Sequence, residues 1–180
     1  SSVGSQFAQS KHHVPIRLWA YEGLFRCSSG EEFVRHMCEI PTFGKGYSSL
    51  MVDADGLLCS LESPCPLTQI RWPEPGETYL NCSNYYQLDA ISEADWRTPE
   101  GKENAISRAR MLDDRFKGGS GGRDLEAMKE VLKHHGSPSI CRHGGDDQSW
   151  TEYSMIGLCA ERKALFIHDY PCEGGQYTEV

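Results

Sequence analysis

The sequence predicts an α+β protein in which helices and antiparallel hairpins form separate blocks. Apolar residues recur at helical spacing in two successive stretches near the start of the chain and in two more beyond its middle. Two further regions each contain a pair of apolar runs joined by a polar turn, which is typical of a hairpin. Because strands and helices do not alternate one by one, this order favours α+β layers over a doubly wound parallel sheet.

Four helices are expected in chain order. Gly23 weakens the helical pattern of the first. Ser29 and Glu32 have the spacing of a capping box, so the second helix should begin directly after Ser29. Gly136 is expected to stop the last helix. The predicted helices cover residues 16–26, 30–39, 102–116 and 124–134.

Five strands are expected in central sheets that the helices cover. Asp55-Gly56 separates two apolar runs and is a strong hairpin turn signal. The polar turn Glu161-Arg162-Lys163 joins the last two strands. The predicted strands cover residues 50–52, 57–61, 79–82, 153–159 and 164–168.

A length of 180 residues suits one domain, or a large piece of one, over residues 1–180. Within it, residues 1–13 are expected to form a flexible N-terminal segment and residues 118–122, GGSGG, a glycine-rich connection. The net charge of −8 argues against a general nucleic-acid binder, which needs clustered basic residues. Since no apolar run has the length of a membrane span, we expect a cytoplasmic or organellar-lumen protein.

The cysteines and histidines do not have metal-ligand spacing. The adjacent pairs His12-His13 and His134-His135 do not make an i, i+4 clamp, and we interpret them as surface residues. No C-x-x-C pair occurs, so neither a zinc ribbon nor a thioredoxin motif is expected. The sequence therefore predicts free, buried cysteines and neither a metal site nor a cofactor. The cysteines lie at positions 27, 38, 59, 65, 82, 141, 159 and 172.

Three residues are candidates for chemistry, each with a simpler interpretation. Ser1 is an N-terminal nucleophile only if the chain truly begins there. Asn84 follows a predicted strand, and its amide suits an oxyanion donor, although asparagine is common in turns. Arg142, at the start of a predicted strand, suits a guanidinium that holds a carboxylate or a thiolate. A structural ion pair of Arg142 with Asp146 or Asp147 is the alternative.

Taken in order, several segments resemble the later part of the acyl-coenzyme A:isopenicillin N acyltransferase family, in the choloylglycine-hydrolase-like branch of the N-terminal nucleophile hydrolases. The resemblance covers nearly the whole chain beyond its first dozen residues. Its most specific motif is Ser139-Ile140-Cys141-Arg142 followed by two strands. The family's Thr-Asn-His signature is matched by Ser83-Asn84-Tyr85, so only the asparagine is identical. The matching segments are VPIRLWAYEGLFRCSSGEEFVRHM, the Asp55-Gly56 hairpin, YLNCSNYYQL, NAISRARMLDDRF and SICRHG with TEYSMIGLCAERKALFIHDYPC.

The resemblance implies a four-layer αββα fold of which this chain supplies the C-terminal part. It also implies a zymogen that cleaves itself, and a cysteine nucleophile at the new N-terminus, upstream of everything matched here. A companion polypeptide from the same precursor would then carry that cysteine in a heterodimer, and this chain alone would be inactive. Asn84 would stabilise the oxyanion and Arg142 would orient the thiolate. Tyr85 and Tyr86 would shape an acyl pocket, with aromatic packing as the alternative.

The implied function is linear-amide hydrolysis or N-acyl transfer on a small molecule through a cysteinyl thioester. Related families act on penicillins, bile-salt conjugates and β-alanyl amines. One alternative is a non-catalytic binding or regulatory module derived from the same fold. A cysteine-bound metal protein is the third hypothesis, and the sequence lacks the ligand spacing that it requires.

Overall fold

The computed structural model describes residues 13–117, 122–144 and 149–180. The chain divides into two compact units, residues 1–109 and residues 110–180. Each contains helices and a three-stranded antiparallel sheet, so the predicted mixture of α and β structure with antiparallel sheets is confirmed.

The first unit is built around one antiparallel sheet in the order β3-β4-β5, and a two-residue parallel pair, β1-β2, lies outside it. Its elements are β1 (Val14–Pro15), α1 (Ile16–Arg26), α2 (Gly30–Glu39), β2 (Thr42–Phe43), β3 (Tyr47–Val52), β4 (Leu58–Ser63), β5 (Gln69–Arg71), α3 (Asp89–Ser92) and the larger part of α4 (Pro99–Phe116).

The bounds of α1 and α2 agree with the sequence prediction. The Ser29 hydroxyl accepts a hydrogen bond from the Glu32 N–H at 3.2 Å, as a capping box requires. The Glu32 carboxylate accepts one in return at 2.7 Å, but from the N–H of Ser28 rather than from that of Ser29. The cap therefore forms as predicted, with its return bond shifted by one residue.

Gly23 allows α1 and α2 to approach each other closely. Its missing side chain faces His36, and a Cβ added there would lie 2.6 Å from the His36 Cδ2 atom. The Trp19 indole donates to the His36 carbonyl at 2.8 Å, and His36 Nε2 donates to the Trp19 carbonyl at 2.9 Å. The two rings stack with centroids 3.8 Å apart. Gly23 lowers the helix propensity of α1, but it is needed there because α2 leaves no room for a larger side chain.

The two faces of the first sheet differ in chemistry. In the central strand β4, Cys59 and Leu61 are buried and belong to the apolar core, whereas Ser60 and Glu62 are buried on the opposite, polar face. The core consists of residues from α1, α2, β4 and the loop after it: Ile16, Phe33, Val34, Met37, Cys59, Leu61 and Cys65.

The predicted Asp55-Gly56 hairpin connects β3 to β4. One carboxylate oxygen of Asp53 accepts the N–H groups of Asp55 at 3.0 Å and of Leu57 at 2.9 Å, and Gly56 adopts a φ of +93°. The other oxygen accepts from the Gly30 N–H, at the start of α2, at 3.2 Å. These backbone hydrogen bonds, that of Leu57 above all, lower the pKa of the Asp53 carboxyl.

The predicted strand at residues 79–82 is wrong. These residues have no regular secondary structure, and none of the strand pairs in the described part of the chain includes them. Side chains occupy the carbonyl of Asn81 instead. It accepts from Arg71 Nη2 at 2.6 Å and from the Gln87 side-chain amide at 3.2 Å. The third strand of the sheet is instead β5, which lies inside a proline-punctuated loop and was not predicted.

The second unit contains the end of α4, one further helix and a sheet in the order β6-β7-β8. Its elements after α4 are α5 (Leu125–Leu132), β6 (Tyr153–Leu158), β7 (Lys163–His168), β8 (Thr178–Glu179) and the short 3₁₀ turns Cys159–Glu161 and Pro171–Glu173. The predicted strands at 153–159 and 164–168 correspond to β6 and β7 within one residue at each end.

The bounds of the later helices differ slightly from their predictions. Helix α4 begins three residues earlier than predicted, because Thr98 Oγ1 accepts the Gly101 N–H at 3.2 Å. Asp124 caps α5 by accepting the Ala127 N–H at 2.8 Å. The expected stop at Gly136 is wrong, since α5 ends at Leu132 and the chain then turns into a loop.

Some predictions concern positions outside the described residues. Residues 1–12, with Ser1, and residues 118–121 of the glycine-rich connection belong to these. In the part of the chain that the structure describes, no helix combines the length and apolarity needed to cross a membrane.

Replacing Gly23 with alanine should lower the free energy of unfolding by about 1–3 kcal/mol, the usual cost of overpacking. The new methyl group would collide with His36 and lie 3.0 Å from the Phe33 ring. Urea unfolding measures the change. Gly101→Ala in α4 is the matched control, because the new Cβ would lie 3.4 Å from its nearest atom, an ordinary contact. This variant should raise the free energy of unfolding by about 0.5–1 kcal/mol. A Gly23→Ala variant as stable as wild type would contradict the close helix contact.

Candidate functional site

The segment that carries Asn84 is held against the first sheet by Glu62. This side chain is fully buried in β4 and accepts the Arg71 Nε–H at 3.1 Å. It also accepts the backbone N–H groups of Gln87 at 2.8 Å and Leu88 at 3.1 Å. A buried carboxylate needs several such donors to offset its lost hydration. The chain from residue 81 to residue 88 is therefore fixed on the polar face of the sheet.

Two arginines hold Asn84, which is half-buried in a bend. Arg97 donates through Nη2 to the Asn84 backbone carbonyl and makes a two-pronged ion pair with the buried Asp95, at 2.9 Å and 2.7 Å. Arg108 donates through Nη2 to the Asn84 side-chain oxygen at 2.7 Å, and its Nε donates to Asn104 at 3.0 Å. Both the backbone and the side chain of Asn84 are thus oriented.

The Arg108 contact determines which way the Asn84 amide faces. An asparagine side chain has one acceptor oxygen and one NH₂ donor group on opposite sides of its terminal carbon. Since the oxygen faces the Arg108 guanidinium, the NH₂ group is directed away from it. The charge of Arg97 is balanced by Asp95, whereas the Arg108 guanidinium places a positive charge next to the Asn84 side chain. The residue therefore has the orientation and electrostatics of an anion-binding donor.

Of the two tyrosines that follow Asn84, Tyr86 packs in the interior of the first unit. Tyr86 is buried, and its hydroxyl donates to the Ser63 carbonyl at the end of β4 at 3.2 Å. This contact agrees with the aromatic-packing interpretation of Tyr86. Tyr85 is half-buried.

Arg142 does not begin a strand, which corrects the sequence prediction. It lies in the loop between α5 and β6, where its N–H donates to Thr151 Oγ1 at 3.0 Å and its carbonyl accepts the Thr151 N–H at 2.8 Å. One isolated bridge, His143 with Trp150, follows it. The proposed ion-pair partners Asp146 and Asp147 lie outside the described residues. Asn84 and Arg142 belong to different units of the chain.

The residues around Arg142 form a cluster of metal-ligand type that the sequence analysis did not predict. The loop after α5 closes on the His134 carbonyl, which accepts the N–H groups of Ile140 and Cys141, both at 3.0 Å. Cys172 reaches the same place from the 3₁₀ turn after β7. The ligand atoms all lie within 4.8 Å of one another, and we call this set the Cys₂His₂ cluster: His135, Cys141, His143 and Cys172.

Short distances connect the side chains of the Cys₂His₂ cluster. Cys172 Sγ lies 2.9 Å from His135 Nε2, 3.1 Å from His143 Nε2 and 3.5 Å from Cys141 Sγ. Cys141 Sγ lies 3.6 Å from His143 Nε2. Cys141 is fully buried, Cys172 is partly buried and the two histidines are exposed. The cluster therefore lies at the surface of its unit, with one thiol inside.

The sequence predicts no metal site because it lacks C-x-x-C spacing. The structure shows that ligand-type side chains meet without this spacing. The His135 side chain is exposed, as predicted for the histidine pair, yet it faces three other ligand-type groups. The only local signal was the Cys141-x-His143 spacing. Cys172 lies 31 residues after Cys141, so sequence spacing alone does not connect it with the others.

The cysteines have free thiols in the structure and are less uniformly buried than predicted. Cys59, Cys65 and Cys141 are buried, whereas Cys38 is exposed. Burial raises the pKa of the Cys59 thiol to about 11. It also raises the pKa of the Cys172 thiol, and the neighbouring Cys141 raises it further. These two thiols thus lack the lowered pKa of a cysteine nucleophile.

The comparisons with known proteins give no relative for this chain. No family model, no curated protein and no solved structure matches it. The family resemblance therefore depends on the quoted sequence segments alone.

Replacing Glu62 with glutamine should lower the free energy of unfolding by about 3 kcal/mol, because Arg71 loses a buried counter-charge. Hydrogen exchange at the Gln87 and Leu88 amides should accelerate together with this loss, since both donate to Glu62. Urea unfolding and exchange mass spectrometry measure the two effects. Glu74→Gln, in an exposed loop, is the control and should change stability by less than about 0.5 kcal/mol. If both variants were equally stable, the conclusion that Glu62 fixes the segment before α3 would be wrong.

Proposed function

We propose that this chain is the distal part of an enzyme that cleaves or transfers the acyl group of a linear amide through a cysteinyl thioester. The observation that carries this proposal is the fixed orientation of the Asn84 amide between Arg97 and Arg108. A preorganised NH₂ donor near positive charge is what a tetrahedral oxyanion requires. The quoted family segments assign the same role to Asn84.

The proposed reaction has two steps. A cysteine thiolate attacks the amide carbonyl carbon, a C–S bond forms, and the carbonyl oxygen becomes an oxyanion that accepts from Asn84. The oxyanion then collapses, the C–N bond breaks, and the leaving amine takes the proton that the thiol gave to the α-amino group of the nucleophilic residue. Water or a second amine then attacks the thioester and breaks the C–S bond. The result is hydrolysis in the first case and acyl transfer in the second.

The proposed role of Arg142 is to orient the thiolate. Its backbone is held by two hydrogen bonds to Thr151, and the N–H of the preceding Cys141 donates to the His134 carbonyl. A guanidinium on such a fixed backbone can make directed hydrogen bonds to an anion. In the family that the quoted segments resemble, the nucleophilic cysteine lies upstream of the matched segments, so we assign it to a companion polypeptide of the same precursor.

The four-layer αββα architecture belongs to the same proposal. In the first unit the apolar face of the sheet packs with α1 and α2, and the opposite face is polar. The outer face of α1 also exposes Leu18, Tyr21 and Phe25, at helical spacing, and Phe25 is 88% exposed. Contiguous exposed apolar residues mark interaction surfaces. We assign this face to the companion polypeptide, which carries the nucleophilic cysteine.

The Asn84→Ala variant of the assembled enzyme should fold normally and lose about 10²–10³-fold in kcat, the usual effect of removing one oxyanion donor. The intact masses of all co-purifying polypeptides first identify the assembly. Turnover is then measured on penicillins, bile-salt conjugates and β-alanyl amines.

Asn104→Ala is the matched control for Asn84→Ala, because it removes another hydrogen-bond partner of Arg108 and leaves Asn84 in place. It should keep turnover within a few-fold of wild type. If Asn84→Ala also stays within a few-fold, the oxyanion role is wrong. A chain that purifies as a monomer, without a companion and without turnover, would favour the non-catalytic module instead.

Arg142→Lys should slow alkylation of the nucleophilic cysteine at neutral pH, because an ammonium does not reproduce the planar fork of a guanidinium. The rate of alkylation by iodoacetamide is measured against pH in both proteins, and the profile of the variant should lie at higher pH. Arg162→Lys, in the turn between β6 and β7, is the control and should not move the profile. An unchanged profile with unchanged turnover for Arg142→Lys would make Arg142 a structural residue.

A further inference from the structure

We propose that the Cys₂His₂ cluster binds one Zn²⁺ ion in a closed, structural site. His135, Cys141, His143 and Cys172 supply all four ligands from the second unit of the chain. The proposed amide chemistry uses none of these four side chains, although Arg142 lies between two of them, Cys141 and His143.

The distances in the cluster fit a tetrahedron of zinc ligands. With Zn–S bonds of about 2.3 Å and Zn–N bonds of about 2.0 Å, tetrahedral angles give edges of about 3.8 Å between two sulfurs and about 3.5 Å between sulfur and nitrogen. The observed edges are 3.5 Å between the sulfurs and 2.9 Å, 3.1 Å and 3.6 Å between sulfur and nitrogen. Small movements of the side chains would therefore complete the site.

The donor set selects the ion by its chemistry. Two thiolates and two imidazoles are the ligands of structural zinc sites, whereas Mg²⁺ and Ca²⁺ prefer oxygen. Two thiolates also balance the charge of a divalent cation, which matters because Cys141 is fully buried. Four protein ligands leave no open position for water, so the site is structural rather than catalytic.

The surroundings of His143 support this assignment. Its Nε2 faces the two thiols, and its Nδ1 lies 3.5 Å from a Glu173 carboxylate oxygen. A carboxylate behind the outer ring nitrogen is the usual partner of a zinc-bound histidine, because it fixes the tautomer and the ring orientation. Tyr170 stacks on the same ring with centroids 3.6 Å apart. The imidazole is therefore held in a ligand-ready orientation.

The zinc ion would link two parts of the chain that are far apart in sequence. Cys141 and His143 lie in the loop after α5, and Cys172 lies in the 3₁₀ turn after β7. Binding would close this connection and hold the backbone of Arg142 between two ligands. A disulfide between Cys141 and Cys172 is the competing use of the same thiols.

Metal content tests the proposal directly. The purified full chain should contain about one zinc per molecule by elemental analysis. Cys172→Ser and His143→Asn should each lower the zinc content at least tenfold. Cys159→Ser and His134→Asn are the matched controls, because these residues belong to the same unit of the chain as the cluster but lie outside it, and they should keep full zinc content.

A second measurement keeps the test valid if a ligand variant fails to fold. Chelator should lower the thermal unfolding midpoint of the wild-type chain, and added Zn²⁺ should restore it where Mg²⁺ does not. Co²⁺ in place of zinc should give the intense visible absorption of a tetrahedral thiolate site.

Two results would overturn the zinc site. One is a folded, metal-free chain whose unfolding midpoint responds neither to chelator nor to zinc. The other is an intact mass about 2 Da below that of the all-thiol chain, with Cys141 joined to Cys172 in a peptide map.

Discussion

The buried carboxylate of Glu62 is the constraint on which the first unit depends. It is removed from water in the central strand β4, so each of its oxygens needs a donor. Arg71 supplies the charge, and the backbone N–H groups of Gln87 and Leu88 supply the remaining bonds. A segment without regular structure is thereby fixed on the polar face of a sheet. The position of Asn84 follows from this attachment at its C-terminal side.

Polar contacts, rather than strand pairing, position the candidate residues in both units. In the first unit, Arg97 joins the buried Asp95 to the Asn84 backbone, and Arg108 holds the Asn84 side chain. In the second, the His134 carbonyl closes a loop that brings Cys141 to its cluster. Such networks fix irregular backbone because an unmade buried hydrogen bond is costly. The two proposals, an oxyanion donor and a zinc site, thus use loops that are held rigidly by local chemistry.

The sequence predicted correctly those elements that are determined by hydrogen bonds between residues close together in the chain. The capping spacing of Ser29 and Glu32 and the Asp55-Gly56 turn gave correct elements, because their hydrogen bonds join near neighbours in the chain. It failed at residues 79–82, whose apolar pattern suggests a strand, because Arg71 and Gln87 occupy the carbonyl that a strand would use. No local pattern contains that information.

The sequence by itself determined the α+β class, four of the helices to within three residues at each end, and the candidates Asn84 and Arg142. Those features depend on periodicity, caps and residue chemistry, which are local. Only the tertiary structure decided that Gly23 is a contact point, that the Asn84 side-chain oxygen faces Arg108, and that Cys172 meets His135. Each depends on the approach of segments distant in sequence, and side-chain spacing along one chain does not determine which distant groups become neighbours.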